Sequence, residues 1–211
     1  MDYYPLLNKK VGKQVLVTVY NPDTKKRWEE IVKPISKGTQ NELLYQRWIK
    51  HNAEIVDSLS NGTLGYVHIK SMGDASYRDV YADILGKYNK RKGIVIDTRF
   101  NGGGRLHEDI EILFSGEKYL EQVIRDSVAC VMPSRRYVKP SIMLMCEANY
   151  SNAHGTPWVY KHKKMGKLVG MPVPGTMSSV TWETLQDTDL YFGLPVVGYR
   201  TQEGYYLENF Q

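Results

Sequence analysis

Two uninterrupted apolar runs dominate the hydrophobic pattern of the chain. They are Ile-Val-Ile at 94–96, within the strand-like segment 93–97 (Gly-Ile-Val-Ile-Asp), and Ile-Met-Leu-Met-Cys at 142–146. A run without a polar face is typical of a strand that is covered on both sides of a parallel sheet. Small and polar residues follow each run, and a segment compatible with a helix comes next. The pattern therefore predicts two strand–turn–helix units.

Segments before and between these two strands have apolar residues at helical spacing. This spacing predicts helices over residues 39–59, 74–90 and from about 105 to 113. Thr39 and Glu42 have the spacing of a capping box, which predicts the start of the first helix. A short strand is predicted at 64–69. Strands that alternate with helices indicate parallel βαβ units and an α/β fold.

The remaining segments are richer in β-type residues. Residues 14–20 and 26–35 flank a turn at 21–24 and predict a hairpin, which is marginal in water without further packing. Residues 119–124 and 128–132 have a less regular pattern. Further short β-rich pieces lie at 168–169, 179–182, 190–192 and 196–200.

Composition narrows the class of protein. The chain has 211 residues, 42% of them hydrophobic, which suits a globular protein of one large domain, or one domain and part of a second. The net charge of +5 comes from scattered residues, and the sharpest basic cluster, residues 161–164, is short, so nucleic-acid binding is not expected.

Two cysteines form no disulfide framework. The sequence contains no membrane-length apolar run and no signal peptide, which leaves the compartment open between cytoplasm and periplasm. We expect no membrane association, no metal and no cofactor.

The turn after the second apolar strand contains Ser151. Residues 147–155 read Glu-Ala-Asn-Tyr-Ser-Asn-Ala-His-Gly, and a helix follows through Trp158. A serine between a buried strand and a helix has the layout of a nucleophile elbow, although the literal Gly-x-Ser-x-Gly pattern is absent. The alternative interpretation is that Ser151 is an ordinary helix N-cap.

The turn after the first apolar strand contains three consecutive glycines, Gly102, Gly103 and Gly104, hereafter the glycine loop. Glycines let the backbone turn tightly and present bare N–H groups, which can stabilise an oxyanion. A plain strand-to-helix turn is the alternative, and it explains one glycine more easily than three.

Four segments in this order resemble the S41 serine peptidases, the tail-specific and tricorn proteases. They are Asp-Thr-Arg-Phe-Asn-Gly-Gly-Gly at 97–104, Asn-Tyr-Ser-Asn at 149–152, Gly-Met-Pro-Val-Pro-Gly-Thr at 170–176, and Glu-Gly-Tyr-Tyr-Leu-Glu-Asn at 203–209. The resemblance covers roughly residues 62–211. It implies an α/β sandwich of the ClpP/crotonase type over residues 37–211. Residues 1–36 resemble the C-terminal part of a PDZ-like domain, which implies that the chain is a piece of a longer protein.

The resemblance also implies functional residues. Ser151 falls at the nucleophile, and Gly104 and Asn152 fall at the two backbone oxyanion donors. Asn152 replaces an aspartate that is usual in tricorn, a change that leaves the backbone donor intact. Glu208 falls at the third carboxylate of the family, with Glu203 as a nearby alternative.

The general base has no counterpart in the sequence. In tricorn-like members the base is a His that lies before the PDZ-like domain, and none of the five His of this chain matches it. His154 is the only local candidate, one helical turn after Ser151, where geometry argues against it. Tail-specific members use a Lys instead. Thr176 occupies about its place and Lys167 is too early, so a Ser–Lys pair is disfavoured.

We therefore expect a serine peptidase that hydrolyses peptides or unfolded proteins, in a chain that lacks its general-base His. A homo-oligomer and an N-terminal portion of a longer chain are the expected partners. Two alternatives stay open: a non-catalytic peptide-binding scaffold, and a crotonase-like acyl-transfer enzyme that would share the glycine loop without needing Ser151.

Overall fold

The computed structural model describes residues 3–211, which form two compact units. The first unit extends to His51 and the second covers Asn52–Gln211. The first contains a single 3₁₀ turn, Tyr4–Leu7, and an antiparallel hairpin of β1 (Val15–Tyr20) and β2 (Arg27–Val32). The predicted hairpin is confirmed, while its identity as a PDZ-like remnant stays a prediction.

Helix α1 (Lys37–Leu59) begins earlier than predicted. The expected capping box of Thr39 and Glu42 is wrong by three residues, because Ser36 precedes the helix and its Oγ accepts the N–H of Thr39 at 3.0 Å. A hydroxyl in this position satisfies one of the N–H groups that the first turn leaves unpaired.

A four-stranded parallel sheet forms the centre of the second unit. Its order is β3–β4–β7–β8, with β3 at Leu64–His68, β4 at Gly93–Asp97, β7 at Ser141–Met145 and β8 at Gly166–Gly170. All five residues of β4 are buried, as its apolar sequence predicts. The parallel pairing confirms the predicted βαβ arrangement.

Three helices accompany this sheet. They are α2 (Asp74–Ala82), α3 (His107–Ser115) and α4 (Asn152–His162). The predicted helix over 74–90 is shorter than expected, because one turn of π-helix, Asp83–Lys87, follows α2. The core residues come from the strands and these helices, and the most buried include Ile69, Ile84, Ile96, Ile110, Leu113 and Met143.

Two antiparallel hairpins complete the second unit. The less regular pieces pair as β5 (Leu120–Ile124) and β6 (Ser127–Met132). The second hairpin consists of β9 (Ser179–Thr184) and β10 (Tyr191–Val197). The prediction of separate strands at 190–192 and 196–200 is wrong, since a single strand runs from Tyr191 to Val197 with an irregularity at 195–197.

The topology places two turns at one edge of the sheet. Strands β4 and β7 are adjacent and parallel, with Ile94 opposite Ser141 and Asp97 opposite Leu144. Their carboxyl ends lead into the glycine loop and into the Ser151 turn, and such an edge is where α/β sheets bind ligands. Among the helices of residues 3–211, none combines the length and apolar character that a membrane crossing requires.

A core substitution on α3 tests this packing. Leu113 is fully buried, whereas its neighbour Ile112 is 56% exposed. We expect Leu113→Ala to lower the free energy of unfolding by about 2–5 kcal/mol, because it removes packed methyl groups and leaves a cavity. Ile112→Ala should change it by less than about 0.5 kcal/mol. Urea unfolding of both variants provides the measurement, and equal losses would contradict the assigned helix face.

Candidate active site

A buried asparagine side chain holds the glycine loop in place. Asn101 is fully buried; its Nδ2 donates to the carbonyl of Ile69 at 2.8 Å, and its Oδ1 accepts the N–H of Gly103 at 2.9 Å. The carbonyl of Gly103 in turn accepts the N–H of Met72 at 2.9 Å. The loop is therefore fixed on both its amide and its carbonyl sides.

At two positions of the glycine loop, both the positive φ and the lack of room for a Cβ require glycine. Gly103 has φ +98°, and a Cβ there would lie 2.7 Å from Cβ of Ser151. Gly104 has φ +139°, and a Cβ there would lie 2.1 Å from the carbonyl oxygen of Met72. Gly102 has open space around it. The plain-turn alternative does not explain this close approach of the loop to Ser151.

Ser151 lies at the N-cap position of α4 with a positive φ, in a backbone conformation of φ 55° and ψ −122°. Its side chain makes no capping hydrogen bond, so its interpretation as an ordinary N-cap is wrong. A non-glycine residue in this region costs about 1–3 kcal/mol and persists only where its surroundings enforce it. Here Tyr150, the preceding residue, donates its N–H to the carbonyl of Asn101 at 2.9 Å.

Asn149 provides a further anchor for the turn. Its side chain is buried, and Nδ2 donates to Oγ1 of Thr98 at 2.9 Å. Thr98 follows β4 directly, and its own N–H and hydroxyl both donate to the carbonyl of Leu144 in β7. The ends of the two strands and the two turns thus share one hydrogen-bonded network.

Two backbone N–H groups are unpaired where the turns meet. Within residues 3–211, neither the N–H of Gly104 nor that of Asn152 donates a hydrogen bond. The Asn152 nitrogen would lie 3.3 Å from a Cβ at Gly103, so it faces the glycine loop closely. Unpaired amides beside a serine are suited to bind a developing negative charge.

The side chain of Asn152 is buried and has partners of its own. Its Oδ1 accepts the N–H groups of Leu106 at 2.9 Å and His107 at 3.0 Å. Its Nδ2 lies 2.6 Å from Nδ1 of His107. Sequence spacing gave no signal for these contacts, because the partners are about 45 residues apart.

Thr176 contacts the serine turn from a third segment. Its Oγ1 accepts the N–H of Ser151 at 3.2 Å and donates to the carbonyl of Pro174 at 3.3 Å. Thr176, which the resemblance placed at about the position of the Lys of tail-specific members, thus presents a hydroxyl to the serine turn. Lys167 is exposed in β8.

Glu208 lies in a turn near the end of the chain. It is half-buried, and Oε2 accepts the N–H of Ser178 at 2.7 Å. Ser178 is two residues from Thr176, so one segment contacts both Ser151 and Glu208. The alternative carboxylate, Glu203, is exposed in a preceding turn.

His154 is buried in the first turn of α4. Burial lowers its pKa, and the negative charge of Glu208 opposes that shift. Its Nδ1 is buried without a hydrogen-bond partner within residues 3–211. Ser151 Oγ has no hydrogen bond to it, which agrees with the expectation that a base one turn along the same helix is badly placed.

The other histidines of residues 3–211 form no hydrogen bond to Ser151 Oγ. His51 and His162 are exposed, as predicted. Nε2 of His68 lies 2.9 Å from the carbonyl oxygen of Arg99, and His107 contacts Asn152. No cluster of three His, Cys, Asp or Glu able to hold a metal ion occurs in the described part of the chain.

The family model of peptidase family S41 matches residues 63–210. The chain therefore belongs to peptidase family S41. Within this family it is similar to the tricorn proteases. It is 25% identical over 146 residues to the tricorn protease of Thermoplasma acidophilum, which covers 65% of this chain and 13% of that protein.

A tricorn protease homolog of Saccharolobus solfataricus is 26% identical over 177 residues, which covers 80% of this chain and 15% of the homolog. The chain thus spans about one seventh of the length of these relatives.

Solved structures agree on the fold. The crystal structure of the tricorn protease superposes with a TM-score of 0.76 at 20% identity, over 97% of this chain and 20% of that chain. The photosystem II D1 C-terminal processing protease gives a TM-score of 0.51 at 16% identity, over 94% of this chain and 54% of that chain. The chain has the mixed α/β fold of these proteases.

The glycine loop supplies a matched set of substitutions. We expect Gly103→Ala and Gly104→Ala each to lower the free energy of unfolding by at least about 1–3 kcal/mol, because each forces a side chain into an unfavourable φ and into occupied space. Gly102→Ala should leave stability unchanged within about 0.5 kcal/mol, since nothing lies within 4 Å of its added Cβ. Equal behaviour of all three variants in urea unfolding would refute the close approach of the loop to Ser151.

Proposed function

We propose that this chain forms the catalytic core of a serine peptidase in which Ser151 Oγ attacks the substrate carbonyl. The observation that supports it most directly is the backbone of Ser151. It is held at φ 55° at the start of α4, and its hydroxyl does not cap the helix. A strained turn that leaves a hydroxyl uncommitted fits a nucleophile elbow.

Gly104 and Asn152 are the proposed oxyanion donors. Both N–H groups lack partners within residues 3–211, and the loop that contains Gly104 touches Ser151 and the Asn152 nitrogen. Such donors act when they lie about 3 Å from the oxygen that becomes negative in the tetrahedral intermediate. Preorganised backbone donors need no reorientation during the reaction.

The proposed general base is a His outside these 211 residues, with Glu208 as the carboxylate that orients it. None of the histidines in residues 3–211 bonds to Ser151 Oγ, and the buried His154 has a lowered pKa. Glu208 is connected to the serine turn through the segment that contains Ser178 and Thr176.

Substrates and assembly are proposed from the relatives. Their names are those of proteases, so a peptide or an unfolded protein is the proposed substrate. We also propose the ClpP/crotonase-type sandwich for residues 37–211, a PDZ-like origin for residues 1–36, and a homo-oligomer within a longer protein.

Replacing the proposed nucleophile provides the direct test. In the protein form that shows peptidase activity, Ser151→Ala should lower kcat by roughly 10³-fold or more, as loss of a catalytic serine does. Ser115→Ala, at the end of α3, is the control variant, and its kcat should equal that of the wild type. Activity is measured with a fluorogenic peptide, and labelling of Ser151 by a fluorophosphonate probe accompanies it. More than a tenth of the activity in Ser151→Ala would exclude this residue. Activity without labelling of Ser151 would favour the crotonase-like alternative, which does not need this serine.

The 211-residue chain by itself should hydrolyse peptides no faster than its own Ser151→Ala variant. A serine hydroxyl is a poor nucleophile unless a base takes its proton. The comparison uses purified chain at high concentration with a long incubation, and folding is verified by circular dichroism. Turnover that the Ser151→Ala substitution abolishes would place a base within these residues, and His154→Ala would then identify it.

A further inference from the structure

The Asn152 side chain joins the serine turn to the start of α3. Helix α3 begins after Leu106, whose side chain has no group that could cap it. The unpaired N–H groups of the first turn need an acceptor. Asn152 Oδ1 accepts two of them, from Leu106 at 2.9 Å and from His107 at 3.0 Å. A residue of α4 thus performs the capping function for α3.

This contact fixes one end of the glycine loop. Asn101 binds the loop at Gly103, and Asn152 binds Leu106, two residues after the last loop glycine. The N–H of Arg105 donates to the carbonyl of Met72 at 2.6 Å between these two points. The position of Gly104 relative to Asn152 is therefore set by the Asn152 side chain as well as by the strands.

We propose that Asn152 is a positioning residue whose side chain sets the separation of the two oxyanion donors. The inference rests on the proposed function, because it concerns the same pair of N–H groups. One residue provides a backbone donor and, through its amide oxygen, fixes the segment that contains the other donor. A misplacement of about 1 Å at such a site can reduce the rate about 10²-fold.

The orientation of the amide follows from its partners. Oδ1 faces two backbone N–H groups, so Nδ2 is the atom that faces His107 Nδ1 at 2.6 Å. Nδ2 donates, and the His107 ring accepts with its proton on Nε2. An aspartate would keep an acceptor for the two backbone groups and would require a proton on Nδ1 of His107 instead. The contact of residue 152 with the N–H groups of Leu106 and His107, hereafter the clamp, therefore tolerates Asp at this position. It does not tolerate an apolar isostere.

The kinetic test compares Asn152→Leu with Asn152→Asp in the form of the protein that shows Ser151-dependent activity. We expect Asn152→Leu to lower kcat about 10²-fold with little change in KM, and Asn152→Asp to retain most of kcat. Tyr160→Phe is the matched control, because it removes a hydrogen bond on the same helix, from Tyr160 to Ser141 of β7 at 2.8 Å. A wild-type kcat in Asn152→Leu, or an equal loss in the control, would overturn the proposal.

Amide hydrogen exchange separates this proposal from the proposed function. On the 211-residue chain, the Leu106 and His107 amides should lose protection in Asn152→Leu and keep it in Asn152→Asp. Unchanged protection in Asn152→Leu overturns the clamp whatever the activity, whereas failure of the Ser151 test alone rejects only the proposed function. If Asn152→Leu does not fold, Asn152→Ser replaces it, since its shorter side chain brings no acceptor to α3.

Discussion

The close approach of the glycine loop to the Ser151 turn is the constraint on which the rest of the second unit depends. A Cβ at Gly103 would lie 2.7 Å from Ser151 Cβ, so the two backbones approach as closely as glycine allows. This approach requires that β4 and β7 be adjacent and parallel, because only then do both turns leave the same edge of the sheet. The pairing of Asp97 with Leu144 fixes the height at which they leave.

Neither turn can satisfy its polar groups through regular secondary structure, so three buried asparagines do so. Asn101 holds the glycine loop to Ile69, Asn149 joins the serine turn to Thr98, and Asn152 caps α3. An amide suits this task because it offers a donor and an acceptor on one short side chain without a charge that burial would penalise. Buried networks of this kind are stabilising when every member is paired, and loss of one member leaves its partners unsatisfied.

The sequence predicted those features that arise from local patterns. Strands β4 and β7 follow from uninterrupted apolar runs, and the two turns follow from the small and polar residues after them. Contacts between distant segments gave no such signal. The Asn152 partners are about 45 residues away, and Thr176 reaches Ser151 across 25 residues. Glu208 likewise contacts Ser178, which lies 30 residues away along the chain.

Within residues 3–211, the unpaired N–H groups of Gly104 and Asn152, together with the free Ser151 hydroxyl, are the reason for a functional interpretation of the two turns. Folding alone would favour a serine that caps α4, a relaxed φ at residue 151, and partners for the N–H groups of Gly104 and Asn152. In the described part of this chain, buried hydrogen bonds instead keep the Ser151 hydroxyl and these two N–H groups without partners. The strained Ser151 and the two unpaired N–H groups lie in adjoining turns, and hydrogen-bonded buried asparagines hold those turns in place. Under the proposed function, a tetrahedral oxyanion supplies the acceptors that these two N–H groups lack.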